Sequence, residues 1–421
     1  MNLAPPRGTR DFFPEDMRLR TWLFGHFREV ARRFGFEEYD APVVESAELY
    51  VRKAGEEIVD QLYVFQDKGG RDLALRPEMT PSLARMILQK GGALALPVKW
   101  FSLPQCWRYE RMTRGRTREH FQWNLDILGV ADVTAEAELL GALVAFFERV
   151  GLGAGDVAIR VSNRRLLQSV LTGAGVGPEL LAPVCVQVDK LEKVPREAVE
   201  EELARLGVNR GVVDRVLEVA GCDCLEKAAR LAGVGDNGLD QVARLVELAA
   251  AYGCADWLRF DASLVRGLAY YTGIVFEAKA TGGQVQRAIC GGGRYDRLLS
   301  TFGGKDVPAC GFGFGDPVIV EILKDAGKLP DLPARVDDVV FAFSADLRRP
   351  AMEVARRLRA AGRSVDLVLE DDRRMKWAFR HADGGGAERL VLLAPDEWAR
   401  GVVKVRDLAT GQETEVPQER L

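Results

Sequence analysis

Five arginines fall within eleven residues and have the chemistry to bind phosphate. They are Arg108, Arg111, Arg114, Arg116 and Arg118. A guanidinium keeps its proton in proteins and presents a planar fork of donors that matches phosphate oxygens. Each hydrogen bond to a charged group contributes roughly 1.5–3 kcal/mol net. The cluster predicts a polyphosphate ligand, a nucleic-acid backbone, or both; the alternative is a solvated charged hairpin.

The residues around this cluster predict a β-hairpin. The segments VKWFS and CWRYE lead into it, and FQWNLDILGV leads out. The loop runs from Met112 through Thr113 to Arg116, with Gly115 at the turn. On the outgoing strand Gln122, Asn124 and Asp126 share one face, because side chains alternate along a strand. That face predicts the floor of a polar ligand site; the alternative is a solvent-facing sheet surface.

A carboxylate and a hydroxyl, Glu78 and Thr80, stand two residues apart in LRPEMTPSLAR. On one face of a strand they could hold an ammonium group. In the alternative interpretation the strand ends here, and Thr80 is the N-cap of the next helix, just before Pro81.

Two segments near the middle of the chain suit a small, flat ligand. In LVRGLAYYTG, Arg266 with Tyr270 and Tyr271 could clamp an anionic ligand of aromatic size; the alternative is a core aromatic pair beside a surface arginine. Further on, three glycines recur at every second position and leave one strand face as bare backbone, namely Gly311, Gly313 and Gly315. Their spacing is not a dinucleotide fingerprint. The alternative is tight sheet packing.

Composition places the chain among ordinary globular proteins. Its 421 residues predict two to three domains, and its net charge of −4 requires a local basic surface for any nucleic-acid partner. The seven cysteines are scattered, and the three histidines are not at ligand spacing from them. This pattern predicts reduced thiols in a cytoplasmic protein without a disulfide frame or zinc site. Without an apolar run near 18 residues or an apolar signal core, we expect neither export nor a membrane span.

The order of patterns predicts three parts. A helix over residues 15–35 ends at Gly35, and a strand broken by Pro42 follows. Residues 1–163 and 251–327 form a strand-rich domain, into which residues 164–250 insert a helical block. Residues 336–421 alternate strands and helices and form a separate α/β domain.

Together these motifs resemble the histidyl-tRNA synthetases, which are class II aminoacyl-tRNA synthetases. RGTRDFFP resembles the family's opening, Pro42 in YDAPVVE its motif 1, and WRYER with GRTRE its motif 2. RGLAYYTG and GGGRYD resemble the two histidine-specific signatures. The resemblance implies an α+β class II catalytic domain, an antiparallel sheet flanked by helices, with a helical insertion and a C-terminal α/β anticodon-binding domain. It also implies a homodimer joined near Pro42, without membrane or DNA partners.

The implied activity is ATP-dependent conversion of L-histidine to histidyl-adenylate and transfer to tRNA-His, with ATP and Mg²⁺. Arg108 would bind the α-phosphate, Arg116 the outer phosphates, and Glu110 would place ATP and magnesium. The ATP side would also use Gly311, Gly313 and Gly315. The histidine side would use Glu78, Thr80, Gln122, Asp126, Tyr270, Tyr271 and Tyr295, with Arg266 as the catalytic cation between carboxylate and α-phosphate. The nucleophile is already ionised, so positioning and charge neutralisation suffice.

The chain departs from the family pattern in three places. Ala269 stands where an acidic residue is common. Gly315-Asp316-Pro317 replaces the motif 3 arginine that contacts the γ-phosphate, so we expect Arg116 or Arg294 to carry that charge. Met112-Thr113 occupies the motif 2 loop that would meet the tRNA acceptor end.

Two other functions fit parts of the pattern. One is the non-catalytic, histidine-sensing regulatory subunit of ATP phosphoribosyltransferase. The lost motif 3 arginine favours it, whereas the intact arginine loop and the carboxy-terminal domain oppose it. The other is a plain tRNA-binding module, which predicts no ATP binding.

Overall fold

The computed structural model describes residues 3–51, 60–191, 194–232, 236–265, 270–283, 285, 287–370 and 373–420. The chain divides into two compact units. The larger comprises Arg20–Leu329 with the residues up to Asp11, and the smaller comprises Phe12–Leu19 with Pro330–Leu421.

The larger unit is built on two sheets. Its strands are β1 Glu37–Glu38, β2 Val44–Ser46, β3 Tyr63–Gln66, β4 Asp72–Leu75, β5 Val98–Ser102, β6 Gln105–Trp107, β7 Glu119–Leu128, β8 Val157–Asn163, β9 Leu258–Phe260, β10 Ile274–Ala280, β11 Ala288–Arg294 and β12 Ala309–Gly315. Within the described residues the main sheet has the order β1-β5-β7-β12-β11-β10-β8-β9, with β6 paired to β7, and is mostly antiparallel. A small sheet has the order β2-β4-β3.

The helices before Pro330 are α1 Pro14–Arg33, α2 Ala47–Val51, α3 Thr80–Lys90, α4 Thr134–Arg149, α5 Arg164–Gly173, α6 Pro178–Val188, α7 Arg196–Arg205, α8 Arg210–Ala220, α9 Leu225–Ala232, α10 Leu239–Ala251 and α11 Asp316–Asp325. Of these, α1, α4, α10 and α11 contribute to the core on one face of the main sheet. Phe27 of α1 stacks on Trp123 at 4.8 Å, and Phe146 of α4 meets Phe314 edge-on at 5.1 Å. Trp123 lies opposite the polar residues of β7, so the core fills the face that alternation predicted to be apolar.

The strands on either side of the helical block are neighbours in the sheet, because the block follows β8 and the next strand, β9, pairs with β8. Asn163, the last residue of β8, pairs with Ile274, the first of β10, and the Arg164 amide donates to the Gly273 carbonyl at 3.0 Å. The Asn163 side chain also accepts from the Arg165 amide and so caps α5. Helices α5 to α9 bury a cluster of their own, separate from the sheet core, whereas α10 contributes Val242, Leu245 and Ala249 to the sheet core.

The smaller unit is an α/β fold. Its strands are β13 Asp338–Ala342, β14 Val365–Leu367, β15 Arg389–Leu393, β16 Val402–Asp407 and β17 Glu413–Pro417, in the order β14-β13-β15-β16-β17. Its helices after Pro330 are α12 Arg348–Ala360, α13 Met375–Gly384 and α14 Pro395–Ala399. The strand and helix alternation expected from the sequence is confirmed, as is the α+β fold of the larger unit.

Candidate active site

The polar face of the main sheet forms the floor of a cavity of about 680 Å³. One transverse row crosses five strands: Asn124 pairs with Gly313, Gly313 with Gly291, Gly291 with Glu277, and Glu277 with Arg160. All five residues line the cavity. The polar face of β7 is therefore the floor of a cavity, and the alternative of a solvent-facing sheet surface is wrong.

The three alternate glycines of β12 lie in this floor, as predicted. A Cβ on Gly311 would lie 2.6 Å from the Tyr295 hydroxyl and 2.6 Å from the Leu125 carbonyl oxygen. On Gly313 it would meet nothing closer than 3.6 Å. Gly311 is therefore required by packing, whereas Gly313 leaves open space for a ligand.

One end of the cavity joins Asp126 to three tyrosines. The Tyr295 hydroxyl donates to the Asp126 carboxylate, and the Tyr271 and Tyr295 ring centres lie 6.5 Å apart. Tyr270 stands 4.9 Å from Tyr271. Burial raises the pKa of Asp126 to about 7, against the smaller opposing effect of the Tyr295 hydrogen bond. A carboxylate with a pKa near 7 can accept a hydrogen bond from an N–H group of a small ring.

Glu78 and Thr80 line the same cavity. The Tyr270 hydroxyl donates to Glu78 at 3.2 Å, and burial raises the pKa of Glu78 although nearby Arg108 opposes this. The expectation that Glu78 and Thr80 share a strand is wrong, because β4 ends at Leu75 and Thr80 is the first residue of α3. The alternative N-cap role is also wrong, since Met79 occupies the cap.

Gln122 connects this end to a histidine that the sequence interpretation missed. The Gln122 amide contacts His120 Nε2 at 3.1 Å, and the Cys106 thiol donates to the Gln122 oxygen at 3.6 Å. Burial, followed by Arg108, lowers the pKa of His120 to about 3, so its imidazole is neutral. His120 has the same parity as Gln122 on β7, and this signal could have identified it.

Of the five clustered arginines, Arg108 and Arg116 line the cavity. Arg108 donates from Nε to the Pro77 carbonyl at 2.9 Å, and its terminal nitrogens have no partner in the described part of the chain. Arg116 forms an ion pair with Glu110, which also lines the cavity.

The other arginines lie elsewhere. Arg114 pairs with Glu321 and Asp325 of α11, and Arg118 covers the Tyr109 ring at 3.9 Å. Arg111 is exposed.

The hairpin turn is as predicted. Thr113 and Arg116 form a bridge around it, and Gly115 has φ of 71°, a conformation that suits glycine. The Met112 side chain is exposed, and Thr113 lines the cavity.

The segment that replaces the motif 3 arginine has a structural role. The buried Asp316 accepts from the Phe121 amide at 2.7 Å and from Arg10 at 3.1 Å, and Pro317 follows it in the first turn of α11. Arg294 is also structural: it is buried and pairs with Glu136 at 2.5 Å, outside the cavity lining. The expectation that Arg294 replaces the lost phosphate contact is therefore contradicted.

Arg266 and Ala269 lie outside the described residues. Among the residues that are described, no group of three or more His, Cys, Asp or Glu side chains could hold a metal ion, and no helix is long and apolar enough to span a membrane. All seven cysteines are free thiols.

Comparison with known proteins identifies the family. A family model described as histidyl-tRNA synthetase matches residues 8–315, and one described as an anticodon binding domain matches residues 337–421. A protein named histidine–tRNA ligase, chloroplastic/mitochondrial, from Arabidopsis thaliana is 52% identical over 416 residues, covering 99% of this chain and 85% of the relative. A histidine–tRNA ligase from Opitutus terrae is 40% identical over 420 residues, covering 98% and 96%.

A solved structure shows the same fold. The crystal structure of histidyl-tRNA synthetase from Nostoc sp. PCC 7120 matches with a TM-score of 0.81 at 25% identity, over 100% of this chain and 98% of that one. The matched models, the relatives and the shared fold all agree with the motif resemblance. The chain belongs to the histidyl-tRNA synthetase family.

Proposed function

We propose that this chain is a histidine–tRNA ligase that activates L-histidine with ATP and transfers the histidyl group to tRNA-His. The observation that carries the proposal is the presence of two kinds of group in one cavity. Asp126 and the tyrosines offer hydrogen-bonding groups for an imidazole, and the terminal nitrogens of Arg108, which have no partner among the described residues, offer positive charge. The glycine floor of the cavity has room for a flat ring.

In this proposal the histidine side chain lies against Asp126 and Tyr271, and its ammonium group lies near Glu78 and Thr80. A site that must satisfy buried polar groups rejects analogues without ring nitrogens by about 10⁴-fold. The histidine carboxylate then attacks the α-phosphate, and pyrophosphate leaves. Arg108 stabilises the charge on the α-phosphate, while Arg266 is assigned the same task between the two reactants.

The phosphate side fits ATP through its cations. Arg116 is held by Glu110 in this structure, so binding the outer phosphates requires that pair to open or to include the ligand. Magnesium bound with the nucleotide would neutralise phosphate charge, and Glu110 is the carboxylate we assign as its contact. The described side chains do not form a metal site by themselves, so magnesium would enter with ATP.

Two features support the proposed partners. Residues 337–421 match an anticodon-binding model, which fits tRNA-His as substrate. For a homodimer, Val44 and Phe65 are exposed on one face of the small sheet β2-β4-β3, close in the chain to Pro42. The Arabidopsis relative is named as chloroplastic/mitochondrial, so a cytoplasmic location is still only a prediction from the sequence.

Amino-acid-dependent exchange of pyrophosphate into ATP, run with all twenty amino acids, tests the function. We expect exchange with histidine alone, followed by charging of tRNA-His. Arg266→Ala should abolish exchange without unfolding the protein, and Arg111→Ala is the matched control because Arg111 lies outside the cavity lining. Absence of exchange, with co-purification of a phosphoribosyltransferase, would support the regulatory-subunit alternative instead.

A further inference from the structure

Arg287 lies in the cavity that also contains Arg108 and Arg116. It directly precedes β11, next to an irregularity in strand pairing. Ala278 of β10 pairs with Cys290, but the next residue, Lys279, pairs with Ala288. One extra residue, Ile289, is thus inserted in β11. A bulge of this kind changes the direction of neighbouring side chains, and bulges are common beside active sites.

Arg287 has no carboxylate partner among the described residues. Other arginines of the same unit do: Arg294 pairs with Glu136, Arg160 with Asp261 and Glu277, and Arg10 with Glu119 and Asp316. Arg287 is half-buried and shares its cavity with the incompletely bonded Arg108. Uncompensated cations in a partly buried site raise the free energy of the empty protein, and an anion that binds both removes that cost.

The electrostatic environment agrees with this geometry. Burial lowers the pKa of Arg287, and the nearby positive charge of Arg108 lowers it further. Both arginines also contribute to the low pKa of His120, which lines the same cavity. Within the described part of the chain, Arg108 is thus the charged neighbour that affects Arg287, and no carboxylate offsets it.

We propose that Arg287 binds the outer phosphates of ATP and supplies the charge that Gly315-Asp316-Pro317 does not. This inference rests on the proposed function, in which Arg108 binds the α-phosphate. Gly315 and Pro317 line the same cavity as Arg287, whereas the carboxylate of Asp316 is bonded to Arg10 and to the Phe121 amide. The positive charge is thus supplied by a residue at the start of β11, Arg287, instead of by a residue after the end of β12.

Calorimetric titration of ATP and of AMP into the full-length protein tests the proposal. Because hydrogen bonds to charged groups contribute roughly 1.5–3 kcal/mol, Arg287→Ala should weaken ATP binding by about tenfold to a hundredfold. AMP binding should change less than about twofold, since AMP lacks the outer phosphates. Arg111→Ala removes the same charge from an exposed position and should leave both affinities unchanged.

Arg287→Lys and Arg287→Gln complete the series and keep the test informative if the alanine variant does not fold. Lysine keeps the charge without the planar fork and should lose less ATP affinity than glutamine. Unchanged ATP affinity in folded glutamine or alanine variants, or equal losses for ATP and AMP, would overturn the proposal. These binding results decide the role of Arg287 by themselves, whereas failure of histidine-dependent exchange in the wild-type protein would count against the ligase assignment.

Discussion

The Tyr295 hydroxyl donates a hydrogen bond to the Asp126 carboxylate beside Gly311, at the end of the cavity assigned to the imidazole. The bond favours the ionised carboxylate, but burial is the larger effect and raises the pKa of Asp126 to about 7. The group therefore titrates close to neutral pH, in the same range as free histidine.

This pKa predicts how stability depends on pH. Between about pH 4 and pH 7 the folded protein keeps a proton on Asp126 that the unfolded chain releases, so the free energy of unfolding falls as pH rises and levels off above pH 7. The difference between 3.8 and about 7 corresponds to on the order of 4 kcal/mol at this site. In Asp126→Asn the decrease between pH 5 and pH 8 should be smaller by about 2–3 kcal/mol.

Urea unfolding of both proteins at several pH values measures this difference. His120 acts in the opposite direction, because its pKa is lowered to about 3 and the folded state binds fewer protons there. Since both proteins contain His120, its contribution cancels in the comparison. Parallel pH profiles for wild type and Asp126→Asn would contradict the raised pKa.

Gly311 and Gly313 offer a matched pair of substitutions on one strand. Gly311→Ala places a methyl group against the Leu125 carbonyl and the Tyr295 hydroxyl, and we expect a loss of about 1–3 kcal/mol of stability. Gly313→Ala has room in the empty protein and should change stability by less than about 0.5 kcal/mol.

The two variants should also differ in ligand binding. The methyl group of Gly313→Ala projects into the cavity, so this folded variant should bind ATP or histidine at least about fivefold more weakly. Calorimetry with each ligand identifies which one lies over Gly313. Wild-type affinity for both ligands would show that neither approaches this part of the floor.

Glu110 and Arg116 form an ion pair in this structure, and opening it should oppose ATP binding. Glu110→Gln removes the carboxylate that pairs with Arg116 and with it a negative charge at the proposed phosphate site. Since a partly exposed pair contributes up to about 1 kcal/mol, magnesium-free ATP should bind about fivefold more tightly to this variant. If Glu110 contacts magnesium, the Glu110→Gln variant should need a higher magnesium concentration than the wild type for pyrophosphate exchange. Weaker binding of magnesium-free ATP would mean that Glu110 does not compete with the phosphates.

Arg294 should affect stability far more than ligand binding. Arg294→Ala leaves Glu136 buried without its partner, which costs about 3–5 kcal/mol. Urea unfolding should show this loss, while any protein that remains folded should bind ATP normally. A selective loss of ATP affinity without a loss of stability would restore Arg294 as a phosphate ligand.

The sequence predicted the cavity residues best where the alternation of side chains along a strand decides which face each residue occupies. Alternation along β7 placed Gln122 and Asp126 on the cavity face, and alternation along β12 did the same for Gly311. It failed at Thr80, because the chain turns from strand to helix within a few residues there. Arg287 could not be predicted by counting, since the bulge at Ile289 interrupts the alternation of β11. The role of Arg294 depends on Glu136, a partner far away in the chain.

The parallel pairing of β8 with β9 has a further consequence. The chain leaves the sheet after β8 and re-enters it in the neighbouring strand, and α5 to α9 between them bury their own cluster. These helices can therefore change in length without a change of register between the strands, and they can diverge in evolution while the cavity floor keeps its geometry.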